Sequence, residues 1–146
     1  MSLTTHEVDS PPEAVFAVLA DPDSYGHWVV GSKEILAAEG NWPTAGATFH
    51  HTQGTVGINL KDTTSVVEAQ PPHHLVLEVR ARPWIVSVVE LSLEAVGQGR
   101  TRVRMYEHPT GGLARRVWNP VLDRLMHTRN VESLRRLGRL AAERAA

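Results

Sequence analysis

The sequence IVSVVELSLEAVGQGRTRVRMYEH, residues 85–108, carries the clearest structural signal in the chain. Apolar residues alternate with polar ones on both sides of Gly97-Gln98-Gly99, which is the period of a half-buried strand. The glycines between the two runs predict a turn, so the stretch is a β-hairpin. Pairing Ala95 with Thr101 across that turn places Val89 opposite Glu107. Because side-chain facing repeats every two residues, this register puts Glu107 on the apolar face.

Further strand-like runs lie on the N-terminal side of this hairpin, each bounded by turn residues. They are Ser2–Asp9, Lys33–Ala38, Ala47–Gln53, Ile58–Ala69 and Leu75–Ala81. With Ile85–Ala95 and Thr101–His108 they make seven strands. From Lys33 onward no helical pattern intervenes, which favours an antiparallel meander over parallel crossovers.

The predicted turns tie the strands to one register. They place Val66 opposite Leu77, Thr64 opposite Val79, Ala81 opposite Ile85, Leu77 opposite Val89, His51 opposite Leu60, and Phe49 opposite Asp62. These pairings agree on one apolar face: Phe49, Leu60, Thr64, Val66, Leu75, Leu77, Val79, Val89, Leu91, Leu93, Val103 and Met105. Trp84, Val86 and Val88 are apolar on the opposite, polar face. They would be covered in a homodimer, or would remain as scattered surface apolar residues.

Helical signals occur at two places. Ser10-Pro11-Pro12-Glu13 predicts a helix start with Ser10 as the cap, and the helix ends near Asp21-Pro22. A second short helix is expected to carry Tyr25 and Trp28. After residues 109–112 the chain is predicted to be helical to its end, with Pro120 kinking it or starting a new segment. Its predicted apolar positions are Leu113, Val117, Val121, Leu125, Val131, Leu134, Leu137 and Gly138.

Composition limits the classes of protein that the chain can be. Its 146 residues are expected to form one domain, residues 1–146, of class α+β. The net charge of -1 gives no general attraction to nucleic acid. The absence of cysteine excludes disulfides and thiolate chemistry. Neither a signal peptide nor a membrane-spanning run is found, so we expect a cytoplasmic protein without membrane insertion.

Several segments resemble one superfamily. Ser10–Phe16, Asp21–Trp28 and Val66–Leu75 are similar to its first helix, its second helix and one of its hairpins, and Gly99–Val103 and Asn130–Leu137 also resemble a bacterial branch. The superfamily is the START-like (SRPBCC, birch-pollen-allergen-like) one, which includes polyketide cyclases/dehydrases and lipid-transfer proteins. The resemblance implies a helix-grip fold, in which a curved sheet wraps around a long C-terminal helix and leaves a cavity between them. Carriers, receptors and enzymes share this fold, so the fold does not choose the activity.

Two carboxylates fall on the predicted inward face, where burial without compensation is costly. Glu107 is the first candidate for a catalytic residue, because a partly desolvated carboxyl can donate or accept a proton. Asp62 would assist it if both face the cavity, although a solvent-exposed Asp at a strand end is the simpler interpretation. His51 is a candidate to hydrogen-bond a ligand.

The predicted ligand-binding residues are those that the apolar sheet face and the helices present to the cavity. They are Trp28, Phe49, His51, Leu60, Thr64, Leu77, Val79, Val89, Leu91, Met105, Glu107, Val117, Val121 and Leu125. The eight histidines show no metal-ligand spacing, so neither a metal nor another cofactor is expected.

Three functional hypotheses remain open at this point. The first is binding of a small hydrophobic molecule such as a polyketide, lipid or isoprenoid. The second is a cyclase- or dehydratase-like enzyme that uses Glu107 as acid–base. The third is an interaction module whose cavity is filled by its own side chains. An open interior favours the first two, and a solid interior favours the third.

Overall fold

Antiparallel strands make up most of the computed structural model. It describes residues 2–30, 32–55, 58–81, 85–111 and 119–145. Within these residues the side chains of 2, 32–38, 51–55, 58–62, 81, 85 and 145 are outside the description. Seven strands are described: β1 Ser2–Val8, β2 Ser32–Glu39, β3 Thr48–Thr55, β4 Ile58–Gln70, β5 His74–Ala81, β6 Ile85–Ala95 and β7 Thr101–Gly111. They form one antiparallel sheet in the order β1-β7-β6-β5-β4-β3-β2. The fold is therefore α+β with a curved antiparallel sheet.

The registers of three hairpins are confirmed. Ala95 pairs with Thr101 and Val89 with Glu107 across β6 and β7. On β5, Leu77 pairs with Val66 of β4 on one side and with Val89 of β6 on the other. The turns predicted these registers correctly because they contain few residues and leave little freedom for slippage.

The predicted register of the β3–β4 hairpin is wrong by two residues. Phe49 pairs with Thr64, and His51 pairs with Asp62. The strands stay paired closer to the turn than expected, with Thr55 opposite Ile58. A shift of two residues preserves the facing of every side chain, because the period of a strand is two.

Bulges interrupt the sheet at several points. The register shifts between Val66 and Glu68 on β4 and twice along β2. It also shifts between Pro109 and Gly111 on β7, where Thr110 is the extra residue opposite Val86 and Ser87. Each extra residue bends its strand and increases the local twist. These bends give the sheet the curvature needed to wrap around a helix.

Three α-helices are described: α1 Pro12–Leu19, α2 Tyr25–Trp28 and α3 Pro120–Ala145, with a 3-10 turn at Pro22–Ser24 before α2. Ser10 was predicted to cap α1, and this is wrong: the N-cap is Pro11. The Ser10 carbonyl instead accepts a hydrogen bond from Thr101 Oγ1. Pro120 begins α3, and Asn119 Oδ1 accepts from the backbone N–H groups of Val121 and Leu122. That side chain satisfies donors which have no partner inside the helix.

The last strand extends three residues beyond its predicted end. Pro109 pairs with Ser87 and Gly111 with Val86, and Thr110 Oγ1 donates to the Val86 carbonyl. The proline and glycines had predicted a break in this stretch. Pro109 is tolerated because the bulge at Thr110 disturbs the ladder beside it. Residues 112–118, where the helix was predicted to begin with Leu113 and Val117, lie outside the described residues.

The core lies between the sheet and the C-terminal half of α3. Leu134, Leu137 and Ala141 are fully buried there, and α3 packs against β1 and α1. Gly138 permits the closest approach, since a Cβ at this position would lie 3.2 Å from a methyl carbon of Val8. The seam between α3 and β1 is thus closely packed, and any open interior lies toward the N-terminal half of α3.

Candidate functional site

A cavity of about 60 Å³ lies between the sheet and α3. Strands β3 to β7 supply its apolar floor, α2 one side, and α3 a polar roof. The described residues that line it are Tyr25, Trp28, Val29, Phe49, Thr64, Leu77, Val79, Val89, Met105, Glu107, Arg129, Asn130 and Ser133. The interior is therefore neither packed solid nor uniformly apolar.

Glu107 is the acidic residue among the described cavity-lining side chains. It is 4% exposed, and its Oε1 accepts hydrogen bonds from Arg129 Nη2 at 2.8 Å and Asn130 Nδ2 at 3.0 Å. Charge-assisted hydrogen bonds of this kind stabilise a carboxylate against the cost of burial. Glu107 is therefore fixed in position by two donors from the facing helix.

The spacing of polar residues along α3 places these donors on the face of the helix that lies against the sheet. Asn130, Ser133 and Leu134 lie three and four residues apart, so they share the face that α3 turns toward the sheet. Arg129 Nη2 also lies 3.3 Å from Asn130 Oδ1, which links the two side chains to each other. Ser133 Oγ accepts from the backbone N–H of Val30 and so ties α3 to the end of α2.

Three residues of the site were not predicted from the sequence: Arg129, Asn130 and Ser133. Arg129 belongs to an arginine-rich helix, in which a guanidinium usually points to solvent. The available signal was the polar pair Asn130 and Ser133 on the same face as Leu134 and Leu137. Polar residues that continue an apolar helix face indicate a polar partner opposite, and here the partner of Asn130 is Glu107.

An aromatic cluster of four side chains closes one end of the cavity. The Tyr25 ring lies 4.9 Å from those of Trp28 and Phe49, and the Trp42 ring stacks on Phe49 at 4.7 Å. Tyr25 Oη and Trp42 Nε1 both donate to the carbonyl of Leu19 at the end of α1. Burial raises the pKa of Tyr25 far above its ordinary value. Its phenol is therefore neutral and serves as a fixed donor.

The predicted ligand-binding residues whose side chains are described fall into three groups. Those on the cavity wall are Trp28, Phe49, Thr64, Leu77, Val79, Val89, Met105 and Glu107. Leu91 is fully buried in the core and is absent from the described wall. Val121 and Leu125 are 67% and 61% exposed, so placing them on the cavity wall was wrong.

The remaining candidates fall outside what is described. Residue 117 lies outside the described backbone, and for His51, Leu60 and Asp62 the backbone alone is described. His51 and Asp62 pair with each other across β3 and β4, so they share one face of the sheet. An acid–base pair of Asp62 with Glu107 stays a prediction.

The outer face of the sheet is charged, as its alternation predicted. Arg102 lies opposite Glu94, with 3.8 Å between Nη1 and Oε2. Val86 and Val88 are half-buried on this face, while Trp84 lies outside the described residues. A homodimer that covers this patch stays a prediction.

The described part of the chain has neither a cluster of metal ligands nor a membrane-spanning helix. No group of three or more His, Asp or Glu side chains in the described part of the chain is arranged to hold a metal ion. None of the described helices has the length and apolarity required to cross a bilayer.

Known structures share this architecture at low sequence identity. An aromatase/cyclase from a Streptomyces species superposes with a TM-score of 0.76 and 15% identity, covering 99% of this chain and 94% of that one. A Rhodobacter sphaeroides protein superposes with a TM-score of 0.73 and 24% identity, covering 95% of this chain and 89% of that one. An HSP90 activator from Plasmodium falciparum superposes with a TM-score of 0.65 and 20% identity, covering 96% of this chain and 94% of that one. At these identities the likeness establishes the fold alone.

Sequence comparison is more specific than structural likeness. Comparison with curated proteins gives no significant match. A family model described as "Polyketide cyclase / dehydrase and lipid transport" matches residues 3–142. Since that match spans nearly all of the 146 residues and the helix-grip-like fold agrees with it, the chain belongs to the polyketide cyclase/dehydrase and lipid transport family.

Proposed function

We propose that the protein binds a small, largely apolar molecule of polyketide, lipid or isoprenoid type in the cavity between the sheet and α3. The supporting observation is an interior with apolar walls and one fixed polar cluster, Glu107 with Arg129 and Asn130. Ligand sites commonly combine such walls with a few convergent polar groups. The walls would supply affinity, and the cluster would set orientation.

The size of the cavity limits how a ligand would enter. Its volume of about 60 Å³ is below the roughly 300–1,000 Å³ of sites that enclose drug-sized molecules. The described walls therefore accommodate a single ring or the end of a chain. We infer that one end of the ligand occupies this cavity beside Glu107, while the rest extends outward.

Native mass spectrometry of protein purified from its source tests this proposal. We expect a retained small molecule, released on denaturation, because an apolar group in such a cavity is removed from water. As a matched control, the Val89→Trp variant fills the cavity from β6 and should carry less of the same molecule. Equal retention by both proteins would place the ligand elsewhere and contradict the proposal.

A second candidate function is a cyclase- or dehydratase-like reaction in the same cavity. It is favoured by one observation, the 4%-exposed carboxylate of Glu107 on the cavity wall. A carboxylate within reach of a bound carbonyl compound can take a proton from the adjacent carbon. The donors Arg129 Nη2 and Asn130 Nδ2 fix the position of this group, as an acid–base role requires.

The Glu107→Gln variant separates the two functions. Glutamine keeps the shape and an oxygen acceptor for Asn130, but it cannot take up a proton. If the protein is a carrier, we expect ligand affinity to fall by about tenfold or less, which is the scale of one ordinary hydrogen bond. Calorimetric titration measures that affinity. Loss of turnover with unchanged affinity would instead establish the enzyme.

A further inference from the structure

Two hydrogen-bond donors on the cavity wall have no partner among the described residues. Trp28 is 2% exposed and lines the cavity, and its indole Nε1 is buried without an acceptor. Arg129 lines the same cavity, and its Nε is likewise buried without an acceptor, although its Nη2 is bonded to Glu107. Buried donors are rarely left unpaired, because a donor without a partner has lost its hydrogen bonds to water and gained none in return. Two such donors around the same cavity point to an acceptor supplied by a ligand.

The charges around these donors indicate what kind of acceptor fits. The guanidinium of Arg129 is already neutralised by Glu107, 2.8 Å away. An anionic ligand would therefore gain no net countercharge and would lie close to the Glu107 carboxylate. A neutral oxygen meets neither difficulty. Both polar atoms of Asn130 already have a partner, since Nδ2 donates to Glu107 and Oδ1 accepts from Arg129.

We propose that the ligand presents a neutral carbonyl oxygen, as in a ketone, aldehyde, quinone or ester, to Trp28 Nε1 and Arg129 Nε. This inference rests on the proposed function and adds its chemical selectivity. The apolar remainder of the ligand packs against Phe49, Val79 and Met105. The site then disfavours the hydrocarbon analogue of the ligand, because that analogue supplies no acceptor for either donor.

A matched pair of probes tests this selectivity. Acetophenone and α-methylstyrene have nearly the same shape, but the first has a C=O group where the second has C=CH₂. We expect acetophenone to bind about tenfold more tightly, the effect of one to two satisfied donors. In a ¹H–¹⁵N titration the indole N–H signal of Trp28 should move downfield with acetophenone and not with α-methylstyrene. Benzoate, the anionic probe of similar size, should bind more weakly than acetophenone.

The outcomes separate this inference from the proposed function. Equal affinity for the two neutral probes, or an unmoved Trp28 signal, would overturn the carbonyl inference and leave apolar binding intact. Tighter binding of benzoate would also overturn it, in favour of an anion. Binding of no probe would overturn both proposals.

Variants assign the preference to the two donors. Arg129→Lys keeps a cation for Glu107 but removes the Nε–H group, so the preference for acetophenone should fall by about threefold or more. Trp28→Phe removes the indole N–H and should reduce the preference for acetophenone by a similar factor. Because Trp28 is buried, its variant is first checked for native circular dichroism; the wild-type titration gives its result independently. An unchanged preference in Arg129→Lys would exclude Arg129 as a donor to the ligand.

Discussion

Replacing Phe49 with alanine is expected to destabilise the protein by about 3–5 kcal/mol, the range for removal of a buried aromatic side chain. Phe49 is 1% exposed and lies against both Tyr25 and Trp42. Its loss removes apolar contact area and leaves a void that the rigid sheet cannot close. Urea unfolding followed by circular dichroism measures the change.

Two further variants calibrate this effect. Phe49→Leu retains most of the volume and should cost less than Phe49→Ala. Val67→Ala, on the exposed bulge of β4, should change stability by about 0.5 kcal/mol or less. A cost for Phe49→Ala no larger than that of Val67→Ala would mean that Phe49 is not packed as described.

The Phe49→Ala variant should also change the cavity. Phe49 lines the cavity, so its truncation enlarges the space next to Val79 and Met105. An apolar aromatic molecule that occupies the enlarged space should recover part of the lost stability, since a ligand specific to the folded state stabilises it.

Replacing Arg129 with methionine is expected to destabilise the protein by about 2 kcal/mol. The change leaves Glu107 as a buried carboxylate without its countercharge, which costs roughly 3–5 kcal/mol in fully buried pairs. The Arg129 side chain is 37% exposed, so solvent screening reduces that cost. Denaturant unfolding of the single variant gives the value.

A double-mutant cycle isolates the ion pair from packing. Glu107→Gln combined with Arg129→Met should be more stable than Arg129→Met alone, because no unpaired charge is then buried. Arg136→Met is the matched control: Arg136 pairs with Glu132 on the surface of the same helix, and its loss should cost about 0.5 kcal/mol or less. Additive effects of the two site substitutions would show that Glu107 and Arg129 do not interact.

Much of the sheet could be predicted from short-range pattern. Glu107 was placed on the inward face because its parity follows from Val89 and the turn after Ala95, and it is buried there. Even the incorrect β3–β4 register kept Phe49 and Thr64 facing inward. A shift by two residues does not change which face of the sheet a side chain lies on. A shift by one would have moved every apolar side chain of the strand to the outer face.

The facing of the helix could not be predicted in the same way. Val121 and Leu125 repeat every four residues, but four residues advance a helix by about 400°, so such a stripe drifts around the axis. Leu125 and Leu134 are nine residues apart in the sequence, roughly two and a half turns, and therefore lie on opposite sides. Leu134 is buried, and Leu125 is exposed.

The sequence by itself determined the strands, the side of the sheet on which Glu107 lies, and the family. These depend on neighbouring residues, short turns and recognisable segments. The tertiary structure alone decided that Arg129 and Asn130 meet Glu107, and that Trp28 shares their cavity. Those contacts join residues far apart in the chain. They depend on the rotation of α3 about its axis, which is set by close packing against β1 at Gly138 and Val8.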